Sequence, residues 1–360
     1  MVKKLVLRGS PREIGRTHGA DGKKEVHQSL ETYEKLFHGY KGINWPEAKE
    51  AGLVHLKAIE NYNMEFIEEM EGVAEGAGVD FEDILALNAR SEIALANYKG
   101  ASFSDGCTSI AVTAPVSEHT IIGQNWDWKA SQKESLLLLE IHQEDKPVIT
   151  MVTEGGIIGK IGFNSAGVGL CFNALLTDKK SDEVPVHLGL RSVLNSSSLH
   201  EAVSKLKGGQ IASAGNIMIG YDDGGAGMAT NVETSPFGID MIGGTDGKAV
   251  HTNHICSEEI KKNLKDMNEF AFEDSMIRKR RAEQLIFHTA SARNEEINET
   301  SFKRWLSDRF NEPNSINHYE NLNAPEHRRM VTVFSIIMNL TERRMYLSTG
   351  HPTEDSFEEI

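Results

Sequence analysis

The spacing of apolar residues changes character near residue 100. Over residues 11–39, Ile14, Val26, Leu30, Tyr33, Leu36 and Phe37 recur at three- and four-residue intervals. That is the period of one helix face, and Pro11 suits a helix's first turn. Leu53, Leu56, Ile59, Tyr62, Phe66 and Met70 predict a second helix over 46–76, and a third follows over 81–98. After Gly100-Ala101-Ser102 the pattern turns to that of strands, over 108–113, 120–127, 136–143, 148–154, 158–163 and 168–174. Helices are expected again over 185–194 and 198–206, then strands over 215–221, 227–233 and 237–242, the first two joined by the turn Asp222-Asp223-Gly224-Gly225. Helices over 274–290 and 301–309 precede strands over 331–339 and 344–348, and residues 1–8 read as an opening strand. The charged stretch 257–274 is expected at the surface. No repeat or Pro/Ser-rich linker separates these blocks, so one structural domain is expected. Dominant hairpins favour an α+β architecture of stacked antiparallel sheets covered by helices over a doubly wound parallel sheet.

Composition narrows the function. With 39% hydrophobic residues in 360, the chain has enough apolar side chains for a sizeable core, which excludes disorder. The formal charge of -15 gives phosphate-neutralising binding to nucleic acid no footing. Two lysines before three apolar residues make no signal-peptide core, and no stretch approaches a membrane span or a lipidation signal. Three cysteines are too few for a disulfide framework and leave at least one thiol free, so a reducing cytoplasm is the expected setting.

Cys171, between Leu170 and Phe172, reads as a core residue. Cys107 differs, because it begins a strand directly after the turn-forming pair Asp105-Gly106. Glycine admits backbone geometries that would let the thiol reach back to the preceding carbonyl. An N→S acyl shift followed by hydrolysis would release Gly106 as a carboxylate and expose the Cys107 α-amine. With an ordinary pKa of about 7.7–8.0, that amine can serve as base for its own thiol.

Several segments carry a family resemblance. They are Asp105-Gly106-Cys107-Thr108, Gly123-Gln124-Asn125-Trp126-Asp127, the long run 153–168 (TEGGIIGKIGFNSAGV) and His251-Thr252-Asn253-His254. Ile14-Gly15-Arg16-Thr17-His18-Gly19 and Leu87-Asn88-Ala89-Arg90-Ser91-Glu92 add to them. In order and spacing the chain resembles the acyl-CoA:6-aminopenicillanate acyltransferase (isopenicillin N acyltransferase) family, cysteine peptidase family C45. The resemblance implies an N-terminal-nucleophile hydrolase with an αββα sandwich, cut between Gly106 and Cys107. Segments 1–106 and 107–360 would then stay associated as small and large subunits. It implies a small-molecule acyl substrate, an amide or a thioester, whose acyl group passes through Cys107 to water or an amine. Acyl-CoA is a possible co-substrate. No metal or redox cofactor, nucleic acid or membrane partner is expected, and a homo-oligomer stays open.

The resemblance also assigns roles. Asp127 would orient the Cys107 α-amine and stabilise its protonated form. Asn253 would donate to the oxyanion without titrating. Asn173 could add a second amide or its backbone N–H, and Thr108 and Ser109 could hydrogen-bond during self-cleavage. One departure stands out: where the family carries arginine in a Ser-Ile-Cys-Arg segment, this chain has Ser315-Ile316-Asn317-His318. His318 lacks a guanidinium's permanent charge and planar fork, so either it serves, or Arg328 or Arg329 supplies the charge, or the substrate differs.

Rival readings fare worse. His251, His254 and Cys256 suggest metal ligands, but no HExxH pattern or second cysteine pair supports a metal hydrolase. Gly155-Gly156-Ile157-Ile158-Gly159-Lys160 has the wrong glycine spacing for a phosphate loop, with Ile161 where Ser or Thr is needed. A papain-like nucleophile sits at a helix N-terminus, whereas Cys107 opens a strand. A catalytically degenerate binding protein of the same fold remains the alternative class, supported only by the altered 315–318 segment.

Overall fold

A computed structural model describes residues 2–95, 106–292, 296–324, 326 and 329–360. Among the described residues, seven helices fill the first hundred positions: α1 (Pro11–Asp21), α2 (Lys23–Lys41), α3 (Trp45–Leu53), α4 (Leu56–Tyr62), α5 (Met64–Ala77), α6 (Phe81–Asn88) and α7 (Arg90–Ala94). The three helices expected from periodicity are each divided. The first breaks at Gly22, whose N–H bonds the His18 carbonyl, and the second breaks around Val54 and Asn63, which caps α5 through its side chain. Tyr98, the expected end of the third, lies outside the described residues, as do Ser104, Asp105 and Arg328.

The strands form two sheets. One has eight members: β1 (Lys3–Arg8), β4 (Leu136–His142), β5 (Ile149–Glu154), β6 (Ile161–Asn164), β7 (Val168–Ala174), β8 (Gly215–Asp222), β9 (Gly227–Ser235) and β10 (Gly238–Ile242), in that spatial order. The other runs β11 (Lys248–His251), β2 (Thr108–Val112), β3 (Ile121–Trp128), β12 (Val331–Asn339), β13 (Arg344–Thr349) and β14 (Glu358–Glu359). Pairing between these strands is antiparallel except for β1 on β4. That exception ties the helical segment into the large sheet. It is reinforced at Gly155, where a Cβ would sit 2.4 Å from the Val26 nitrogen in α2, so only glycine permits the approach.

The remaining helices are α8 (Val186–Leu194), α9 (Leu199–Ser204), α10 (Glu258–Lys261), α11 (Met276–Phe287) and α12 (Glu299–Leu306). Helices α1, α2, α8 and α9 pack on the eight-stranded sheet, α11 and α12 on the six-stranded one, and β2, β3 and β11 face β7, β8 and β9. The result is the expected α+β sandwich in four layers, αββα. Alternation along strands divides the residues between two cores. Ile110, Val112 and Ile121 join Ala282, Ile286, Phe302 and Trp305 outside the small sheet. Ala111, Ile122, Trp126 and Trp128 point into the space between the sheets. Gln124 stitches the layers, donating from Nε2 to the Phe172 carbonyl at 2.5 Å and accepting from its N–H at 2.7 Å.

Candidate active site

The site grows from the β2–β3 register. Thr108 pairs with Asn125 antiparallel, and continuing two residues back sets Gly106 opposite Asp127. A Cβ at Gly106 would lie 2.8 Å from both Cβ and Oδ2 of Asp127, so the bond expected to break lies against that carboxylate and only glycine fits. Cys107 comes next, buried, with its Sγ 3.9 Å from the Asp127 carbonyl oxygen, and it belongs to the core between the sheets. Thr332 on β12 donates from Oγ1 to Asp127 Oδ1 at 2.7 Å.

Arg278 on α11 brings the charge that the altered 315–318 segment lacks. It is buried, and its Nη1 donates to the Cys107 carbonyl at 2.7 Å and to Thr108 Oγ1 at 3.0 Å. Its Nη2 reaches Asn253 Oδ1 at 3.2 Å, and its Nε pairs with Asp274 at 2.6 Å. Burial opposes this charge, but Asp274, Asp127 and Cys107 hold the guanidinium protonated, above the usual arginine value. Asp274 is thereby a correction to the expected surface stretch 257–274: it is buried because it is the counter-ion of Arg278 four residues later.

Asn253 follows β11, a four-residue strand too short for periodicity to reveal. Its Nδ2 donates to the Ala174 carbonyl at 3.1 Å and its N–H to Ser275 Oγ at 2.8 Å. Cys107, Thr108 and Asn253 are therefore joined through one guanidinium. Asn173 stands apart from it. Its Oδ1 accepts from Ser109 at 2.9 Å and from Asn216 at 3.1 Å, a polar ladder between the sheets.

His318 meets the site through its backbone. Its N–H donates to Thr332 Oγ1 at 2.8 Å and its carbonyl accepts from the Thr332 N–H at 3.0 Å. Burial pushes its imidazole down to about 4, against the pull of Asp274, so the ring is neutral at pH 7. Arg329 bonds the carbonyls of Ala324 and Leu322 within its own loop. Arg278 could have been suspected only from its Asp274 partner at i−4, which says nothing of where the pair faces.

The inner wall carries a second unforeseen cation. Lys160, in the β5–β6 loop, sits 3.4 Å from the Trp126 ring centroid and pairs with Glu154, which Tyr33 also contacts and which lies 3.8 Å from Arg90. Burial drives the Lys160 ammonium down, while Glu154 and, more weakly, Cys107 favour its charge. The other thiols differ. Burial pushes Cys171 up, whereas Cys256, where burial alone would also raise it, is held down to about 6 by His251 and His254. A cleft of about 550 Å³ lined by Lys35, Lys129, Glu320, Arg329 and Val331 opens at the end of β3, and none of the proposed site residues lines it.

The sequence matches the model of the family described as acyl-coenzyme A:6-aminopenicillanic acid acyl-transferase over residues 116–354. It is 34% identical over 353 residues to the acyl-coenzyme A:6-aminopenicillanic-acid-acyltransferase 40 kDa form of Emericella nidulans, covering 97% of this chain and 92% of that protein. Among solved structures, a mutant of the conjugated bile acid hydrolase from Clostridium perfringens aligns at 14% identity and TM-score 0.45, over 71% of this chain and 92% of its own. Penicillin V acylase from Agrobacterium tumefaciens aligns at 12% identity and TM-score 0.42, over 68% and 82%.

Proposed function

The chain belongs to the acyl-coenzyme A:6-aminopenicillanic acid acyl-transferase family, and we propose on that premise that it is a self-cleaving acyltransferase or amide hydrolase with Cys107 as nucleophile. The observation that carries the reading is the seating of Gly106-Cys107: the glycine against Asp127, the cysteine carbonyl on Arg278. In the precursor, the Cys107 thiol attacks the Gly106 carbonyl, its proton passes to the departing amide nitrogen, and water cleaves the resulting thioester. The products are a Gly106 carboxylate and an α-amine at Cys107. Fragments 1–106 and 107–360 stay together because β1 is a strand of the large sheet.

In turnover the new α-amine takes the thiol proton as sulfur attacks an acyl carbonyl, then returns it to the leaving group. Asp127 faces the amine and favours its protonated form. Arg278 fixes the Cys107 backbone and holds Asn253 by its Oδ1; one Asn253 amide hydrogen goes to the Ala174 carbonyl, which leaves the other as a donor toward a developing oxyanion. The acyl group then passes to water or to an amine. Acyl-CoA as donor and a 6-aminopenicillanate-like amine as acceptor are the substrates that the Emericella relative's name suggests.

Intact mass of the purified protein tests this reading. Two fragments dividing at Gly106/Cys107 are expected, and Cys107→Ala is expected to yield one uncut, inactive chain. An uncut wild type that turns over no amide or thioester, or a Cys107→Ala variant that still cleaves, would overturn it. Product partitioning between water and an added amine would distinguish hydrolase from transferase.

A further inference from the structure

In the segment that carries Asn253, and facing it on β9, four side chains of metal-binding type converge. Glu233 comes from β9, His251 from the end of β11, and His254 and Cys256 from the turn that follows. Donor atoms of Glu233, His251 and Cys256 all lie within 4.8 Å of one another. His251 Nε2 is 2.7 Å from Glu233 Oε1, and His254 Nε2 is 3.5 Å from Cys256 Sγ. Zinc bonds of about 2.0–2.3 Å set ligand atoms roughly 3.3–3.7 Å apart in a tetrahedron, so the His254–Cys256 separation already fits and the His251–Glu233 pair must open to admit the ion.

Three of the four donors are also held from behind. His251 Nδ1 lies 2.8 Å from the Thr252 carbonyl, which as an acceptor takes its N–H and turns Nε2 inward as the ligating nitrogen. His254 Nδ1 lies 2.8 Å from Ser275 Oγ, again leaving Nε2 to face the sulfur. Backbone N–H groups of Cys256 and Ser257 bond the two Glu233 oxygens at 2.7 and 3.0 Å. Orienting one ring nitrogen through an outer partner while the other faces the centre is how metal-ligating histidines are set. We propose that Glu233, His251, His254 and Cys256 form a zinc site. Two neutral imidazoles, one thiolate and one carboxylate balance the charge of a divalent ion, and soft sulfur with imidazole selects zinc over magnesium or calcium. Binding releases the proton shared by His251 and Glu233 to solvent. The absence of an HExxH pattern does not bear on this site, because its ligands come from the His251–Cys256 segment and from Glu233 on another strand.

Cobalt(II) is the probe. Chelator-treated protein is expected to bind one ion per chain, developing the near-ultraviolet thiolate-to-cobalt charge-transfer band and the visible bands of a tetrahedral ion, both bleached by Zn²⁺. Cys256→Ser is expected to lose the charge-transfer band. Cys107→Ala is expected to keep it, which separates this site from the proposed nucleophile. His254→Gln is expected to bind at least tenfold more weakly with the sulfur band retained. No charge-transfer band in the wild type, or a band lost in Cys107→Ala and kept in Cys256→Ser, would overturn the proposal whether or not the self-cleavage reading stands.

Discussion

Replacing Arg278 by methionine keeps most of the side chain's length and removes its charge. Arg278 and Asp274 are only 1% and 4% exposed, so the substitution strands a buried carboxylate. Removing one partner of a buried pair costs about 3–5 kcal/mol, and urea unfolding of Arg278→Met is expected to show a loss of that size. Taking out both charges, as Arg278→Met with Asp274→Leu, is expected to recover at least half of it, because replacing a buried pair by apolar groups is often neutral. Self-cleavage behaves differently. The guanidinium's hydrogen bond to the Cys107 carbonyl is charge-assisted, a class worth about 1.5–3 kcal/mol, or roughly ten- to 150-fold in rate at 1.36 kcal/mol per decade. The double variant is therefore expected to fold stably and still process about ten- to 150-fold more slowly, followed by fragment mass against time. If restored stability restores the wild-type processing rate, Arg278 is a structural ion-pair partner and its proposed role at Cys107 is wrong.

Other outcomes follow from the same geometry. Gly106→Ala would push a methyl group to 2.8 Å from the Asp127 side chain, so slower or absent cleavage is expected on denaturing gels, with near-wild-type rates speaking against the Gly106–Asp127 contact. Asn253→Ala is expected to lower kcat about 10²–10³-fold with little change in KM, as loss of an oxyanion donor does; a change in KM alone would remove it from that role. Stability is expected to fall as pH drops from 6.5 to 4. Burial lowers the His18 imidazole from 6.5 to about 4, and its Nε2 accepts from the Gly156 N–H at 3.1 Å. Its contribution is complete above the unfolded value of 6.5 and is lost as pH falls toward the folded one, because the unfolded state takes up the proton first. At 1.36 kcal/mol per unit this amounts to about 3 kcal/mol, and His18→Gln is expected to flatten that part of a urea-midpoint profile.

Much of this protein was legible in order along the chain. Helical and strand periods and the run from Thr153 to Val168 depend on neighbouring residues, so local pattern suffices to read them. Strand Val168–Ala174 and strand Val331–Asn339 are found as expected, because alternating apolar positions and flanking turns mark both ends. Helix breaks at Gly22 and Asn63 were not legible, since the apolar stripe continues across them and capping decides where a helix stops. Nor was β11, four residues whose strand identity comes from pairing with β2. The site divides the same way. Gly106, Cys107 and Asp127 announce themselves as motifs, but their confrontation depends on the register of β2 on β3. Arg278 lies 171 residues from Cys107, and only the packing of α11 on the small sheet puts its charge on that carbonyl. His318 fills the expected arginine's place in the sequence, yet burial leaves it neutral. Sequence by itself determined most of the elements, the fold class and the candidate nucleophile, because local backbone and hydrophobic preferences are written in adjacent residues. Tertiary structure alone decided which buried charges meet, because desolvation makes a charge seek its partner across the fold, wherever in the chain that partner lies.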